Sequence, residues 1–251
     1  MTTSFNVTRK RDGRKIICRD FVSSFCENFS NEMNKESTQK FIRNFRIPNE
    51  RELYGLLVKS FINTQLDPNG FIATELQIGR TASDSDADDS VGRIDFMVNY
   101  RNTTFLIEVK VNRASAVSNI TLDESKTPKV LKPWIQVCDQ LANLSTRRIE
   151  SAALKKIEKL AVMIYLYISP NPLSEFHIGD KNGKHSQIVE GIQNRRTISQ
   201  KVDYDFWHQF DESIFCSKRR SDSMDEDINN SPNVKKVNFY GYSIFSSVIQ
   251  P

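Results

Sequence analysis

The stretch that decides the fold is Gly92–Val111, GRIDFMVNYRNTTFLIEVKV. Two runs rich in β-branched and aromatic residues, Ile94–Tyr100 and Thr104–Val111, flank a short polar break at Arg101-Asn102, which is the pattern of a β-hairpin. A loop centred on that break fixes the register of the two antiparallel strands. Counting outward, Tyr100 faces Thr103, Val98 faces Phe105, Phe96 faces Ile107, Ile94 faces Val109 and Asp95 faces Glu108. Ile94, Phe96, Val98, Phe105, Ile107 and Val109 then share one apolar face that must pack on something, while Asp95, Glu108 and Lys110 share the other.

Cross-strand partners stand about 4.5 to 5.5 Å apart between Cβ atoms, so this register brings two carboxylates together with a lysine one pleat along. Like charges so placed repel unless a cation lies between them. A divalent ion bound through oxygen resolves the conflict, and magnesium typically takes one or two carboxylates together with phosphate and water. The alternative is an exposed surface hairpin that carries a Glu-x-Lys pair. A second Glu-x-Lys, Glu124-Ser125-Lys126, lies in a polar stretch without strand pattern, so no carboxylate is fixed opposite it across a ladder.

At these residues the chain resembles the PD-(D/E)xK nuclease superfamily, whose signature is an Asp opening one core strand and Glu-x-Lys ending the next. The matching positions are Asp95, within Gly92-Arg93-Ile94-Asp95, and Glu108-Val109-Lys110; Ile94 stands where the signature has Pro. The resemblance covers Asn49 to about Ser169, and Gly-Arg-x-Asp followed by a hydrophobic Glu-x-Lys strand also looks like nuclease domains attached to, or found near, bacterial ATPase-like proteins. It implies an α/β fold with a restriction-endonuclease-like core, a mixed central sheet flanked by helices in the order αβββαβ. It also implies that Asp95, Glu108 and the Val109 backbone carbonyl hold Mg2+ or Mn2+. Lys110 would then orient or activate the attacking water and stabilise charge on the phosphate. The implied activity is hydrolysis of phosphodiester bonds, in DNA rather than RNA, in a defence or mobile-element setting. Two helical residues join the candidates through the same resemblance. Gln136 matches a Gln that several families direct at the site, although Gln140 replaces the Tyr that follows it there, and a pair of solvated glutamines is the alternative. Glu52 matches a helical carboxylate beside the metal, or closes a capping box with Asn49, and the two roles are compatible.

Composition sets the outer bounds. At 251 residues, with 38% apolar and 26% charged, the chain can build one core domain with additions. No apolar run approaches the 18 or so residues of a membrane span, and the N-terminus lacks the apolar core of a signal peptide, so a cytoplasmic protein without membrane contact is expected. Cys18, Cys26, Cys138 and Cys216 show neither Cys-x-x-Cys spacing nor a nearby His pair, which excludes a zinc motif and suits buried free thiols. The net charge of +4 arises from 35 basic and 31 acidic residues and does not by itself mark a nucleic-acid binder. His177, His185 and His208 have no metal-like spacing.

Along the chain, residues 1–15 read as a loose arm or edge. Phe21, Phe25, Phe29 and Met33 recur at helical spacing, and Phe41, Ile42 and Phe45 continue the helical tendency to Pro48, making residues 1–48 a helical N-terminal extension. The core, residues 49–169, opens with a helix over Asn49–Asn63, then a strand over Phe71–Ile78 and an acidic stretch, Thr81–Ser90. In that stretch Asp84, Asp86 and Asp88 fail as a calcium loop because Asp89 stands where Gly is required. After the hairpin come helices over Val130–Leu144 and Thr146–Lys159, then a buried strand, Ala161–Ser169. Residues 170–251 read as a small C-terminal elaboration: loop-like from Ser174 to Lys201, a short helix over Tyr204–Phe215, a polar segment over Ser217–Asn233, and a last strand or hairpin over Val237–Val248.

Three readings of function follow: a metal-dependent deoxyribonuclease; a catalytically silent nucleic-acid-binding or assembly subunit that keeps the nuclease fold; and a protein–protein module, with a protein partner or a second copy held by the aromatic N-terminal helix.

Overall fold

Thirteen residues, Ile157–Ser169, form the strand around which the layers are built, and the reason is its composition. Leu160, Val162, Ile164, Leu166 and Ile168 are buried on one face, and Ala161, Met163, Tyr165 and Tyr167 on the other. A strand apolar on both faces must be covered on both. In the computed structural model, which describes residues 2–8, 16–64, 70–79, 91–116, 128–144, 156–174, 176–218 and 235–249, it is.

The elements in order are β1 (Thr2–Val7), α1 (Ile16–Asn34), α2 (Glu36–Asn44), α3 (Glu50–Thr64), β2 (Ile72–Gly79), β3 (Val91–Tyr100) and β4 (Thr103–Ser115). There follow α4 (Lys132–Ala142), β5 (Ile157–Ser169), α5 (Lys184–Asn194), β6 (Tyr204–Lys218) and β7 (Lys235–Ile249). The described strands form one mixed sheet in the order β1-β6-β7-β5-β4-β3-β2, in which β4 and β5 run parallel and all other neighbours antiparallel. α1, α2 and α3 cover one face, and α4 and α5 the other. None of the described helices is long and apolar enough to cross a membrane.

The aromatic stripe of α1 is core, as its spacing dictates: Phe21, Phe25, Phe29 and Met33 are fully buried. Phe21 stacks on Phe105 of β4 with ring centroids 4.1 Å apart and lies 6.1 Å from Phe61 of α3, so one ring ties α1 to both the sheet and its neighbouring helix. α2 buries only Ile42. On the opposite face α4 buries Trp134, Val137, Cys138 and Leu141. The four cysteines are free and buried.

Several sequence expectations are corrected here. Of the two readings of the N-terminal stretch, loose arm or edge, residues 2–7 take the second: β1 pairs with β6 at one end of the sheet. Tyr204–Phe215 is strand rather than helix: Tyr204, Phe206 and Phe210 point into the core between the sheet and α1–α3, the first of two, in steps of two or four. His208 falls on the same alternation, fully buried and bonded to Ser30 (3.0 Å) and Asn34 (3.0 Å), and burial holds its pKa down at about 4. Within Ser174–Lys201, Lys184–Asn194 forms α5, docked through His185, whose ring bonds Asp205 (2.7 Å) and Ser243 (2.9 Å). Ile157–Lys159 opens β5 instead of ending a helix; the rest of the expected helix from Thr146, the acidic stretch Thr81–Ser90 and Glu124-Ser125-Lys126 lie outside the described residues, as does most of Ser217–Asn233. β1, β6 and β7 belong to the same sheet as β2–β5, so residues before 49 and after 169 share the core's layers.

The aromatic contact of α1 yields a stability prediction. Phe21→Ala should destabilise the protein by about 3–5 kcal/mol, the usual cost of emptying a Phe site in a packed core, read as a lower midpoint in urea unfolding; an effect under about 1 kcal/mol would mean that α1 is not part of the cooperative unit.

Candidate active site

The hairpin turns at Arg101-Asn102 with Arg101 at φ +52, a left-handed conformation that tight two-residue hairpin turns demand. From there the pairing runs Tyr100–Thr103, Val98–Phe105 and Phe96–Ile107, the register expected, and then it stops. Asp95 and Glu108 would pair next, but no rung joins them: β3 departs from β4. The departure is local to Asp95. Glu75 of β2, between the Thr74–Phe96 and Leu76–Ile94 pairs, sits at φ +54, and Ile94 packs into the second core, not with Phe96 on the face expected for it.

Where the ladder ends, side chains replace it. The Val109 N–H donates to Asp95 Oδ2 at 2.8 Å, and the Glu108 carboxylate accepts from the Asp95 backbone N–H. Two residues on, the Val111 N–H donates to Glu50 Oε2 at 3.2 Å. Residues 109 and 111 face the same edge of β4, and in a strand the N–H and C=O of one residue share an edge. The Val109 carbonyl is therefore turned to the gap that Asp95 occupies.

Lys110 joins the cluster from the same strand, its Nζ 2.9 Å from Glu108 Oε1 and 3.8 Å from Glu50 Oε1. Tyr54, one helical turn after Glu50 on α3, donates its hydroxyl to Asp95 Oδ1. Its ring packs on Phe96 at 5.0 Å. Asp95 and Glu108 are almost fully buried, while Lys110 and Glu50 keep partial access to solvent. Three carboxylates thus face one ammonium, leaving two negative charges uncompensated when all are ionised.

The electrostatics follow. Burial first, and the charge of Asp95 second, push the Glu108 carboxyl above its ordinary value of 4.5, against the pull of Lys110. Burial alone would lower the Lys110 pKa, but its bond to Glu108 and the charges of Glu108, Glu50 and Asp95 outweigh it, so the ammonium is held in its charged form. Tyr54 is raised far above the phenol range by burial and by its bond to Asp95, which keeps its hydroxyl a donor.

Two candidates do not join the cluster. Glu52 forms the capping box with Asn49, accepting the Asn49 N–H at 2.8 Å while its own N–H donates to Asn49 Oδ1 at 3.0 Å, and its other oxygen is held by Arg46. The helical carboxylate at the site is Glu50, two residues earlier. Gln136 is exposed on α4 and shares no hydrogen bond with Asp95, Glu108 or Lys110. Gln140 is exposed as well. Sequence reading missed Glu50 and Tyr54. Their signal was the i, i+4 spacing on α3 once the capping box had claimed Glu52.

Among the described residues no three His, Cys, Asp or Glu side chains are gathered as a ready-made metal cage. Comparison of the chain with protein-family models, curated proteins and solved structures finds no match.

The geometry makes two predictions. A carboxyl with a raised folded pKa binds its proton more tightly in the native state, so its contribution is largest at low pH and is lost as pH rises above 4.5 through the folded value. Urea unfolding of the parent and Glu108→Gln across pH 4 to 8 should therefore show a difference that moves in favour of Gln as the pH increases; a constant difference would return Glu108 to an ordinary carboxyl. Tyr54→Phe keeps the ring on Phe96 but removes the donor to Asp95, and should cost about 1–2 kcal/mol in the same assay, with no loss at all counting against the bond.

Proposed function

We propose that this chain is a metal-dependent nuclease that hydrolyses phosphodiester bonds, in DNA by preference. The observation that carries the reading is the fork between β3 and β4, where Asp95 and Glu108 are buried side by side with Lys110 paired to one of them and Glu50 beside it.

The donor set fits a hard divalent cation. Carboxylate and backbone carbonyl oxygens are the ligands that Mg2+ and Mn2+ prefer, and the excess of two negative charges is what such an ion would neutralise. Asp95, Glu108 and the Val109 carbonyl would hold it, with Glu50 at its margin. When bound, the ion supplies positive charge to the phosphate and makes water easier to deprotonate.

The protein's own groups have separable duties. Lys110, donor-only and held charged by its three neighbours, can bind a phosphate oxygen and orient the attacking water, and it stabilises the charge that builds on phosphorus. The Val109 N–H and the Tyr54 hydroxyl each hold one oxygen of Asp95, so the carboxylate is positioned before any ligand arrives. Preference for DNA over RNA, and a defence or mobile-element setting, rest on the resemblance to PD-(D/E)xK nucleases.

One observation favours a second reading, a catalytically silent nucleic-acid-binding or assembly subunit: Asp95 and Glu50 also cap the β4 edge, a duty that survives without catalysis. Digestion of circular and linear DNA with Mg2+ or Mn2+, alongside calorimetric metal titration, separates the two. Glu108→Ala should lose at least about 100-fold in cleavage and bind metal more weakly, whereas Lys110→Ala should lose a comparable factor while its metal affinity holds or tightens, because a cation opposes metal binding. Both variants cutting at the parent rate would remove the fork from the chemistry, and a parent that cuts no DNA or RNA offered would put the silent subunit ahead.

A further inference from the structure

Both oxygens of Asp95 are already engaged. The Val109 N–H donates to Oδ2 at 2.8 Å and the Tyr54 hydroxyl donates to Oδ1. A carboxylate oxygen has two lone pairs, so each of these keeps one. The neighbouring acids are occupied in the same way: Glu108 Oε1 accepts from Lys110 Nζ at 2.9 Å, and Glu50 Oε2 from the Val111 N–H at 3.2 Å. The fork is rich in negative charge and poor in unoccupied oxygen.

That combination discriminates between divalent ions. Calcium takes about six to eight oxygens, often with a carboxylate bound through both of its own, and tolerates irregular geometry; magnesium takes about six, keeps several waters and needs only one or two carboxylates. A carboxylate clamped at both oxygens can still give magnesium a single lone pair. It cannot turn its plane to gather a larger ion by both oxygens unless a clamp lets go.

Of the two clamps on Asp95, the Val109 N–H is backbone and is present whatever residue stands there. The other is a choice of side chain: among the described residues Tyr54 is the only side chain that donates to Asp95. Its hydroxyl is held in place, because the ring packs on Phe96 with centroids 5.0 Å apart, Leu53 and Leu57 of the same helix are fully buried, and Glu50 one turn earlier ties α3 to β4. Phenylalanine would serve the ring contact alone. The hydroxyl answers Asp95.

We propose that Tyr54 is a positioning residue that sets which divalent ion the fork accepts: by holding Asp95 Oδ1 it limits the carboxylate to single-oxygen ligation, and so favours magnesium over calcium. This rests on the metal site of the nuclease reading.

The test is a titration of the metal-free protein, labelled with 15N-valine, with magnesium alone and with calcium alone, followed through the Val109 and Val111 amide resonances. These two N–H groups bond to the acids of the fork and report binding there without any turnover. In the parent, magnesium should bind at least as tightly as calcium; calcium as the tighter ion would by itself overturn the proposal. Tyr54→Phe should shift the ratio of the two dissociation constants toward calcium by at least about fivefold. A hydroxyl that only stabilised the fold would, on removal, weaken both ions alike, and a ratio that stays within about twofold overturns the proposal. Glu50→Gln removes a charge but leaves both clamps on Asp95, so both ions should weaken together with the ratio unchanged; a shift toward calcium there as large as in Tyr54→Phe would make charge the selector and reject the clamp. Hydrolysis of bis(p-nitrophenyl) phosphate by the parent with magnesium tests the catalytic reading separately. Hydrolysis with an unshifted ratio in Tyr54→Phe keeps the nuclease and rejects the role of Tyr54, whereas a shifted ratio without any hydrolysis does the reverse. A parent that binds neither ion overturns the proposal and its metal site together.

Discussion

The backbone donors of β4 that β3 abandons are the constraint on which the rest of the site depends. After the Phe96–Ile107 pair the N–H groups of Val109 and Val111 still face the edge where β3 should be, in a region roofed by α3. A buried N–H without an acceptor costs about as much as a lost hydrogen bond. Asp95 and Glu50 supply the acceptors, each anchored to a named N–H two residues apart, and the carboxylates are brought into one place by backbone demand. Their burial, and after it their mutual repulsion, is the cost of that arrangement, visible in the raised Glu108 carboxyl, and Lys110 offsets part of it.

α3 is the second support, and it divides its first turns between two tasks. Asn49 and Glu52 close the helix end, while Glu50 and Tyr54 reach across to β4 and Asp95. The helix is held down by Leu53, Leu57 and Phe61, all fully buried against the face that α1 shares. The packing of the N-terminal aromatic stripe is in this way connected to the placement of the carboxylates: Phe21 touches Phe61, and Phe61 lies 5.2 Å from Phe96, next in sequence to Asp95.

How far all this was legible from the residues depends on whether local pattern or tertiary partner decides each element. The hairpin register followed from its two-residue turn and its apolar alternation, and so did α1, α3 and the central strand. The fork itself was not legible: uninterrupted alternation puts Ile94 beside Phe96, and only the break in both β2 and β3 at the level of Asp95 sends it to the other core. β6 was misread because Asp205 and His208 interrupt its apolar pattern. Both are buried with hydrogen-bonded partners on other elements, and such partners cannot be seen in a window of sequence. Glu50 lost to Glu52 because both are acids in one helical turn; the capping box, which needs its Glu three residues after Asn49, was the means of choosing between them.

Under the nuclease reading proposed above, the carboxylates have a double duty, and it has an evolutionary consequence. A descendant of this chain that no longer performed chemistry would still need acceptors for Val109 and Val111, so selection for folding alone would keep Asp95 and Glu50 in place. Lys110 caps no strand donor, and its ammonium answers only the charges around it. Drift would therefore show first at Lys110, which makes the lysine, more than either acid, the position whose identity in other lineages would separate working sites from inherited scaffolds.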